Sequence, residues 1–376
     1  MSQGGVRPLV LVAAGGTGGH LFPAEALAVA LGRRGLAVDL ATDSRAARFG
    51  LQFPADRVHI IPSETVRGSG LFAYAKSGAV IGFGVAKAWL LLRRLSPAIV
   101  VGFGGYPTVP PILAATLRRI PTVIHDANAV MGRANRLLAP RVTAIATTFD
   151  GMLDAEPELA AKTTVTGNPM RPAVIAAAIT PYDVPDPGDL LRLLIFGGSQ
   201  GARVLSDIVP AAFEHLDPAL RRRFRIVQQA REEDRQRVTE TYARMNMPAE
   251  VAPFFPDLPQ RMAAAHLVIA RSGAGTVAEL AAVGRPAILV PLPHALDQDQ
   301  LANATVLQNA GGAILLTQDQ LTPDRLAKEL AALAAAPMRL ATMAVAANSV
   351  GRIDAAERLA NVVMRVAGLE RGMRSS

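Results

Sequence analysis

Short apolar runs alternate with longer amphipathic segments along most of the chain. Runs such as residues 9–14, 37–42 and 99–101 are almost uninterrupted, which is typical of parallel strands buried on both faces. The stretches between them have helical length, and Pro23 predicts the start of a first helix over residues 24–34. Strands that alternate with helices predict an α/β fold with a doubly wound parallel sheet.

The opening pattern returns in the second half of the chain. A strand, a glycine turn and the start of a helix over residues 191–202 repeat the order found at the N-terminus, about 180 residues further on, which is within the usual size of a domain. The stretch before this repeat is rich in proline and acidic residues, which is typical of a linker. We therefore predict a domain over residues 1–175, a linker over 176–187 and a second domain over 188–350.

Composition restricts the chemistry. Half of the 376 residues are hydrophobic and 19% are charged, which argues against a disordered chain. The chain has no cysteine, which excludes thiol catalysis, iron–sulfur clusters and zinc-thiolate sites. The N-terminus has no signal-peptide pattern, so we expect the protein to stay in the cytoplasm.

The net charge of +8 comes almost entirely from arginine and predicts an anionic partner. The candidates are nucleic acid, a phosphorylated metabolite and an anionic membrane. The sequence shows no recognition helix with clustered arginines and no aromatic stacking platform, so nucleic acid is the least favoured of the three.

Residues 71–95 form the longest apolar segment. Lys76 and Lys87 interrupt it, which argues against a transmembrane span. It could lie on an anionic membrane surface, with Trp89 and the leucines in the acyl boundary. It could equally be a helix that covers the sheet and whose arginines offset the helix dipole. The sequence leaves both alternatives open.

The glycine-rich stretch 15–20 follows the first strand and precedes the first helix. Backbone N–H groups of such a turn and the positive end of the helix dipole converge on one point, which favours phosphate or diphosphate; the alternative is a turn that only packs the helix tightly on the sheet. His20 lies at this point and is a candidate proton acceptor. Leu21 stands where the dinucleotide fingerprint needs its last glycine, which disfavours a nicotinamide dehydrogenase.

The turn at residues 197–201 is a second candidate anion site. Ser199 can donate its hydroxyl to a phosphate oxygen, and Arg171 can clamp a phosphate through two donors. Neither glycine turn ends in the Lys-Ser/Thr pair of a P-loop, which argues against hydrolysis of a nucleoside triphosphate.

Two carboxylate motifs have more than one interpretation. Thr276 and Glu279 have the spacing of a capping box, but Glu279 could instead accept hydrogen bonds from a ribose. Asp297 and Asp299 have the D-x-D spacing that can hold a divalent metal, although loop solvation and an N-cap are favoured over a metal site. The amide of Gln300 can bond sugar hydroxyls.

Together, these motifs resemble the MurG family of bacterial glycosyltransferases. The matching residues follow the order of the family's motifs and span residues 15 to 303, which is most of the chain. They are Gly15-Gly-Thr-Gly-Gly-His20, Gly104-Gly-Tyr106, Gly167-Asn-Pro-Met-Arg171, Gly197-Gly-Ser-Gln-Gly201, Arg271-Ser-Gly-Ala-Gly-Thr-Val-Ala-Glu279, and Gln300 with Asn303.

The resemblance implies a GT-B fold, in which two Rossmann-like domains face each other across a cleft and a last helix, residues 353–370, returns to the first domain. It implies an inverting transfer of N-acetylglucosamine from UDP-N-acetylglucosamine to undecaprenyl-diphospho-muramoyl-pentapeptide in peptidoglycan synthesis, with no metal and no other cofactor. The implied location is the cytoplasmic face of the bacterial inner membrane, with residues 71–95 on the anionic surface.

The resemblance also assigns roles to individual residues. Ser199 would lie at the phosphates, Phe255 beside the uracil, Glu279 at the ribose and Gln300 at the sugar, with His20 as the base. The implied donor-site residues are Thr17, Gly18, Gly19, Asn128, Arg171, Ser199, Phe255, Ala274, Gly275, Thr276, Val277, Ala278, Glu279 and Gln300. The implied acceptor-site residues are Gly16, Gly104, Gly105 and Tyr106.

Three departures from the family's pattern affect four residues. Ala127 stands in place of a glutamine, Asp299 in place of a glutamine or histidine, and Phe255-Pro256 in place of an Ile-Asp pair. Two rival functions are a UDP-N-acetylglucosamine 2-epimerase on the same architecture and a non-catalytic nucleotide-sugar sensor at the membrane.

Overall fold

The computed structural model describes residues 7–15, 18–44, 53–63, 71–293, 295 and 298–370, with the backbone alone at 71–77. The chain divides into two compact units. The N-terminal unit comprises Met1–Arg171 with Asp354–Ser376, and the C-terminal unit comprises Pro172–Ile353. The domain limits predicted from the sequence stay a prediction.

Each unit is built on one parallel sheet. In the described part of the N-terminal unit the sheet has seven strands in the order β3-β2-β1-β4-β5-β6-β7, and in that of the C-terminal unit it has six, in the order β10-β9-β8-β11-β12-β13. The strands are β1 (Leu9–Ala13), β2 (Ala37–Thr42), β3 (Arg57–Ile60), β4 (Ile99–Gly102), β5 (Thr122–Asp126), β6 (Ala144–Thr147), β7 (Thr163–Val165), β8 (Leu191–Phe196), β9 (Phe224–Gln229), β10 (Ala249–Ala252), β11 (Leu267–Ala270), β12 (Ala287–Leu289) and β13 (Ala313–Leu315).

Helices cover both faces of these sheets, which explains why the central strands are apolar throughout. In both sheets the strand order reverses at the first strand of the unit, as in doubly wound folds. The helices are α1 (Gly18–Arg33), α2 (Leu71–Leu95), α3 (Val109–Leu117), α4 (Arg133–Leu138), α5 (Pro157–Ala160), α6 (Pro172–Ala178), α7 (Arg203–Glu214), α8 (Pro218–Arg221), α9 (Glu232–Arg244), α10 (Leu258–Ala264), α11 (Ala274–Val283), α12 (Asp299–Asn309), α13 (Pro323–Ala334), α14 (Pro337–Ser349) and α15 (Ala355–Val366).

Helix α1 begins earlier than the sequence pattern indicates. The predicted start at Pro23 is wrong, because the helix begins at Gly18 and Pro23 lies inside it. A proline in a helix interior removes one hydrogen bond to the carbonyl four residues earlier. The consequence for the site is that His20 belongs to the first turn of the helix.

Helix α15 packs against α1 within the N-terminal unit. Its buried Leu359 and Val363 join the core that lies between α1 and the sheet. At the edge of this contact, Arg34 donates a hydrogen bond to the Glu357 carboxylate at 2.7 Å. Helix α15 therefore completes the hydrophobic core to which β1 and α1 also belong.

A fully buried arginine ties the start of the C-terminal unit to its core. The Arg285 guanidinium donates hydrogen bonds to the carbonyls of Thr180 and Pro181, as well as to that of Ala263. It also lies 5.4 Å from the centre of the Tyr182 ring. Because a buried guanidinium is costly unless its donors are satisfied, this network fixes residues 180–182 on the unit.

Helix α2 has one buried face and one exposed face. Ala88 and Leu92 are buried in the core, whereas Phe83 and Leu90 are 63% and 60% exposed. The helix therefore covers the sheet and also presents an apolar surface. Among the described residues no single helix is long and apolar enough to cross a membrane; the bent pair of α13 and α14 meets the criteria by length and composition only.

Candidate active site

The ends of three neighbouring strands place His20 against the glycine turn at Gly104 and Gly105, which follows β4. The strands β1, β4 and β5 are parallel, so the residues that follow them lie at one edge of the sheet. A Cβ atom built on Gly105 would lie 3.2 Å from Cε1 and 3.3 Å from Nδ1 of His20, and one built on Gly104 would lie 3.6 Å from the Nε2 atom. The imidazole of His20 thus stands directly over these two glycines.

Both histidines at this edge have depressed pKa values. Desolvation lowers the pKa of His20 below its ordinary value, opposed by a hydrogen bond with the backbone of Gly15. Burial lowers the pKa of His125 to about 4, opposed by its hydrogen bond to Gly167, while the neighbouring charge of His20 lowers it further. His20 is therefore neutral near pH 7, which is the form that can accept a proton.

The loop after β5 is held by the buried carboxylate of Asp126. The Oδ1 atom accepts a hydrogen bond from the backbone N–H of Asn128 at 3.1 Å, and Oδ2 accepts from the N–H of Gly132 at 2.9 Å. The Asn135 side chain donates to Oδ2 at 2.9 Å and to the His125 carbonyl at 3.0 Å. Asp126 therefore positions Asn128, which is predicted to bind the sugar-nucleotide donor.

Arg171 lies beside the start of α1. Its guanidinium carbon is 4.5 Å from the centre of the Phe22 ring, a cation–π distance. Burial raises the pKa of Glu25, and the charge of Arg171 opposes that shift. The Phe22 ring also lies close to Gly18, with a Cβ built there only 3.0 Å from the ring. Arg171, Gly18 and Phe22 thus form one cluster of the N-terminal unit.

In the C-terminal unit, the predicted phosphate turn opens onto a cavity of about 470 Å³. Ser199 and Gln200 are exposed at this cavity. Arg231, which follows β9, also lines it. The turn leads into α7, whose first residue is Arg203. The geometry is that of a strand, a glycine turn and a helix N-terminus, which can bind an anion.

The two phenylalanines after β10 point in different directions. The Phe255 side chain is 5% exposed, and the guanidinium of Arg261 lies 4.4 Å from the centre of its ring. The Phe254 side chain is 67% exposed. At this loop, the exposed aromatic ring is therefore that of Phe254, whereas the ring of Phe255, predicted to lie beside the uracil, packs inside the unit.

Of the two interpretations left open for Thr276 and Glu279, the capping box is wrong. Helix α11 has its N-cap at Gly273 and begins at Ala274, so Glu279 lies in the second turn and cannot cap the helix. Val277 and Ala278 are buried, whereas Ala274, Gly275, Thr276 and Glu279 are partly exposed. The position of Glu279 in the second turn therefore excludes only the capping role.

Helix α12 carries the last residue that is predicted to bind the sugar-nucleotide donor. Gln300 uses its carbonyl Oε1 to accept a hydrogen bond from the N–H of Leu292 at 3.0 Å. Its backbone carbonyl accepts from the Ser272 hydroxyl at 2.7 Å, and Asn303 donates to the Ser272 carbonyl at 3.2 Å. These bonds join α12 to the loop that begins α11.

Asp299 is the first residue of α12, and its Oδ1 accepts a hydrogen bond from the N–H of Gln300 at 2.7 Å. The N-cap position is occupied by Gln298. Three predicted positions, Gly16, Thr17 and Asp297, lie outside the described residues, as does His294. Within the described ranges, no group of three or more His, Asp or Glu side chains is arranged to hold a metal ion.

Comparison with known proteins covers both units. The family models for the N-terminal and C-terminal domains of glycosyltransferase family 28 match residues 10–147 and 192–359. A Rhodopseudomonas palustris (strain BisB5) protein is 62% identical over 360 residues, which is 96% of this chain and 98% of the relative. That protein is named UDP-N-acetylglucosamine–N-acetylmuramyl-(pentapeptide) pyrophosphoryl-undecaprenol N-acetylglucosamine transferase. The chain belongs to the MurG family.

Solved structures agree with this family. The crystal structure of Acinetobacter baumannii MurG has a TM-score of 0.79 and 30% identity, and the match covers 95% of this chain and 99% of that one. The Neisseria meningitidis UDP-GlcNAc 2-epimerase matches with a TM-score of 0.66 at 14% identity, over 95% of this chain and 100% of that one, which shows a common fold alone. The predicted family, glycosyltransferase class and GT-B fold are confirmed.

Sequence reasoning missed the residues that hold the MurG-family loops in place. Asp126, Asn135 and Gln229 organise these loops through hydrogen bonds, but none of them belongs to a recognised motif. One signal was available. A polar residue at the end of a buried parallel strand needs a hydrogen-bond partner, and the neighbouring loop can provide it. Asp126 and Gln229 are the last residues of β5 and β9.

Gly105→Ala should destabilise the protein through His20. Gly105 has φ of +70° and ψ of +164°, a backbone region open almost only to glycine, which costs a residue with a Cβ about 1–3 kcal/mol, and the new methyl group would also press on the imidazole. Gly35→Ala is the control for a positive φ without a close neighbour, since Gly35 has φ of +77° in open space. We expect chemical denaturation to show a cost about 1 kcal/mol larger for Gly105→Ala. Equal costs would contradict the close packing of His20 on the turn.

Proposed function

We propose that this protein transfers N-acetylglucosamine from UDP-N-acetylglucosamine to undecaprenyl-diphospho-N-acetylmuramoyl-pentapeptide. The observation that carries the proposal is the 62% identity to a transferase named for that reaction, which extends over 96% of the chain. Both the edge around His20 and the turn around Ser199 lie within the matched length. A function carried out by one unit alone would not require sequence similarity over both units.

The C-terminal unit holds the donor nucleotide in this proposal. Ser199 and the N-terminus of α7 bind the diphosphate, since backbone N–H groups and a hydroxyl are suitable donors to phosphate oxygens. Glu279 accepts hydrogen bonds from the ribose. The exposed ring of Phe254 packs on the base beside the backbone of Phe255, and Gln300 bonds the sugar through its side-chain amide.

The N-terminal unit holds the acceptor. The turn at Gly104, Gly105 and Tyr106, together with the glycine turn before α1, contacts the acceptor diphosphate. Arg171 and Asn128 contribute to the donor phosphates and sugar. This assignment is supported by the position of His20, whose ring stands over Gly104 and Gly105 next to where the acceptor would bind.

The proposed reaction is a direct displacement. His20 removes the proton from the attacking sugar hydroxyl while that oxygen forms a bond to the anomeric carbon. The bond between the anomeric carbon and the UDP oxygen breaks on the opposite face, which inverts the configuration. The Ser199 turn, the α7 N-terminus and Arg171 stabilise the charge that develops on the leaving diphosphate, as a metal would otherwise do.

The exposed face of α2 binds the cytoplasmic face of the inner membrane in this proposal. Phe83, Trp89 and Leu90 present apolar surface, and Lys87 and Arg94 are exposed beside them. Apolar side chains with basic neighbours fit the boundary of an anionic bilayer. The lipid acceptor would thereby be reached without a membrane span.

The first test is transfer of labelled N-acetylglucosamine to a lipid-linked muramoyl-pentapeptide analogue, with and without EDTA. We expect acceptor-dependent product in both conditions, because protein donors hold the diphosphate. Product only with added metal would revive a site at Asp297 and Asp299. Conversion of the donor to its C2 epimer without acceptor would favour an epimerase, and donor binding without turnover would favour a sensor.

His20→Ala should reduce kcat by about 10²- to 10⁴-fold, the usual contribution of a general base. Because desolvation lowers the pKa of His20, the acid limb of kcat/KM of the unaltered enzyme should lie below pH 6.5 and disappear in the variant. His215→Ala removes an exposed histidine and serves as the control. Near-normal turnover of His20→Ala at saturating substrates would remove His20 from the base role.

The double variant Phe83→Gln and Leu90→Gln should bind vesicles containing phosphatidylglycerol at least ~10-fold more weakly, since burying each apolar side chain contributes about 1.5–3 kcal/mol. Val345→Gln is the control, because Val345 is equally exposed but lies on α14. Co-sedimentation measures the binding. Unchanged binding of the double variant would exclude this face of α2 as the membrane contact.

A further inference from the structure

The side chain of Gln229 lies beneath the predicted phosphate turn. Its Oε1 accepts a hydrogen bond from the N–H of Gly197 at 2.9 Å, and its Nε2 donates to the carbonyl of Gly198 at 3.0 Å. The same Nε2 donates to the carbonyl of Pro253 at 3.1 Å. One buried amide therefore joins the phosphate turn to the loop that carries Phe254.

These bonds fix the direction of the carbonyl of Gly198. This oxygen accepts from Gln229 and, at 3.1 Å, from the N–H of Gly201, so both of its lone pairs are directed into the turn. Gly198 has φ of +83°, a conformation that glycine adopts readily. The carbonyl oxygen of Gly198 is thereby engaged by two donors of the protein.

Arg231 does the same for the next carbonyls of the turn. Its Nε donates to the carbonyl of Gln200 at 3.1 Å, and its Nη2 donates to that of Gly201 at 3.5 Å. Gln229 and Arg231 are separated by one residue and approach the turn from the end of β9. Together they engage three carbonyl oxygens in the segment that would face a diphosphate.

We propose that Gln229 is a positioning residue for the donor diphosphate and that Arg231 completes its action. Carbonyl oxygens that pointed into an anion site would repel phosphate oxygens, whereas backbone N–H groups attract them. By holding the carbonyls inward, the two side chains leave the N–H groups of the exposed part of the turn for the ligand. The bond to Pro253 sets the distance from this turn to the base-binding loop.

The charges around the cavity are compatible with this role. Glu232 and Glu233 also line it. The carboxylate of Glu232 is 2.9 Å from the guanidinium of Arg235, and that of Glu233 is 3.9 Å from that of Arg231. Because each carboxylate has a basic neighbour, the net charge that they present to a diphosphate is small.

The test compares the dissociation constants of UDP and uridine, and it rests on the proposed function because it assumes that UDP binds here. Both ligands contain the nucleoside, so the ratio of the uridine Kd to the UDP Kd isolates the diphosphate. We expect Gln229→Met to lower this ratio by about tenfold, which corresponds to about 1.4 kcal/mol of lost diphosphate binding. Isothermal titration calorimetry of the full chain measures both constants.

Gln228→Met is the matched control. Gln228 precedes Gln229 on β9, is buried, accepts a hydrogen bond from the Tyr242 hydroxyl at 2.6 Å and donates to the carbonyl of Leu205 at 3.2 Å. Its loss should lower the melting temperature at least as much as that of Gln229 and leave the ratio unchanged. An unchanged ratio in Gln229→Met, or an equal fall in both variants, would overturn the proposal.

Arg231→Lys provides a milder change, since the side chain is 39% exposed and lysine keeps its charge. Lysine keeps the charge but cannot bond two carbonyls through a planar fork. We expect the ratio to fall by about threefold, and a ratio equal to that of the unaltered protein would overturn the role proposed for Arg231. If the unaltered protein bound UDP no better than uridine, the proposed donor site itself would fail.

Discussion

The end of a parallel strand leaves backbone groups that the ladder no longer satisfies, and both candidate sites of this protein are built where that happens. A buried N–H or carbonyl without a partner costs about as much as a lost hydrogen bond, so side chains must take over where the strands stop. Asp126 does so after β5 and Gln229 after β9. The shape of the loops that would bind substrates therefore depends on the hydrogen bonds that satisfy the backbone N–H and carbonyl groups at the strand ends.

Burial at the end of the sheet lowers the pKa of the proposed base. His20 lies where a helix begins on a buried sheet, and the protein atoms around it disfavour the imidazolium form. No positively charged group is needed to keep the ring neutral, because burial alone moves its pKa in that direction. A group that can accept a proton at neutral pH thus arises from the position of α1 on the sheet.

The architecture was predictable because it depends on periodic patterns, whereas the hydrogen bonds at the strand ends do not. Apolar runs such as the one at β1 identify buried strands from composition alone. The spacing of Thr276 and Glu279 fits a capping box, but α11 begins two residues before Thr276, and only the position of Gly273 in space decides this. The exposure of Phe254 and the burial of Phe255 likewise depend on which way one loop turns, which adjacent identical residues cannot reveal.

The two glycine turns are held by similar means although they lie in different units. The Thr108 hydroxyl donates to the carbonyl of Gly104 at 2.7 Å, much as the amide of Gln229 donates to the carbonyl of Gly198. Both donors are neutral. A carboxylate could not have this role, because it cannot donate and its charge would oppose a diphosphate nearby. The carboxylate of Asp126 instead accepts hydrogen bonds from N–H groups of its own loop. Each of its two oxygens has a donor, which offsets the negative charge. Thr108 and Gln229 are thus neutral donors to the two turns, whereas the carboxylate of Asp126 is satisfied within its own loop.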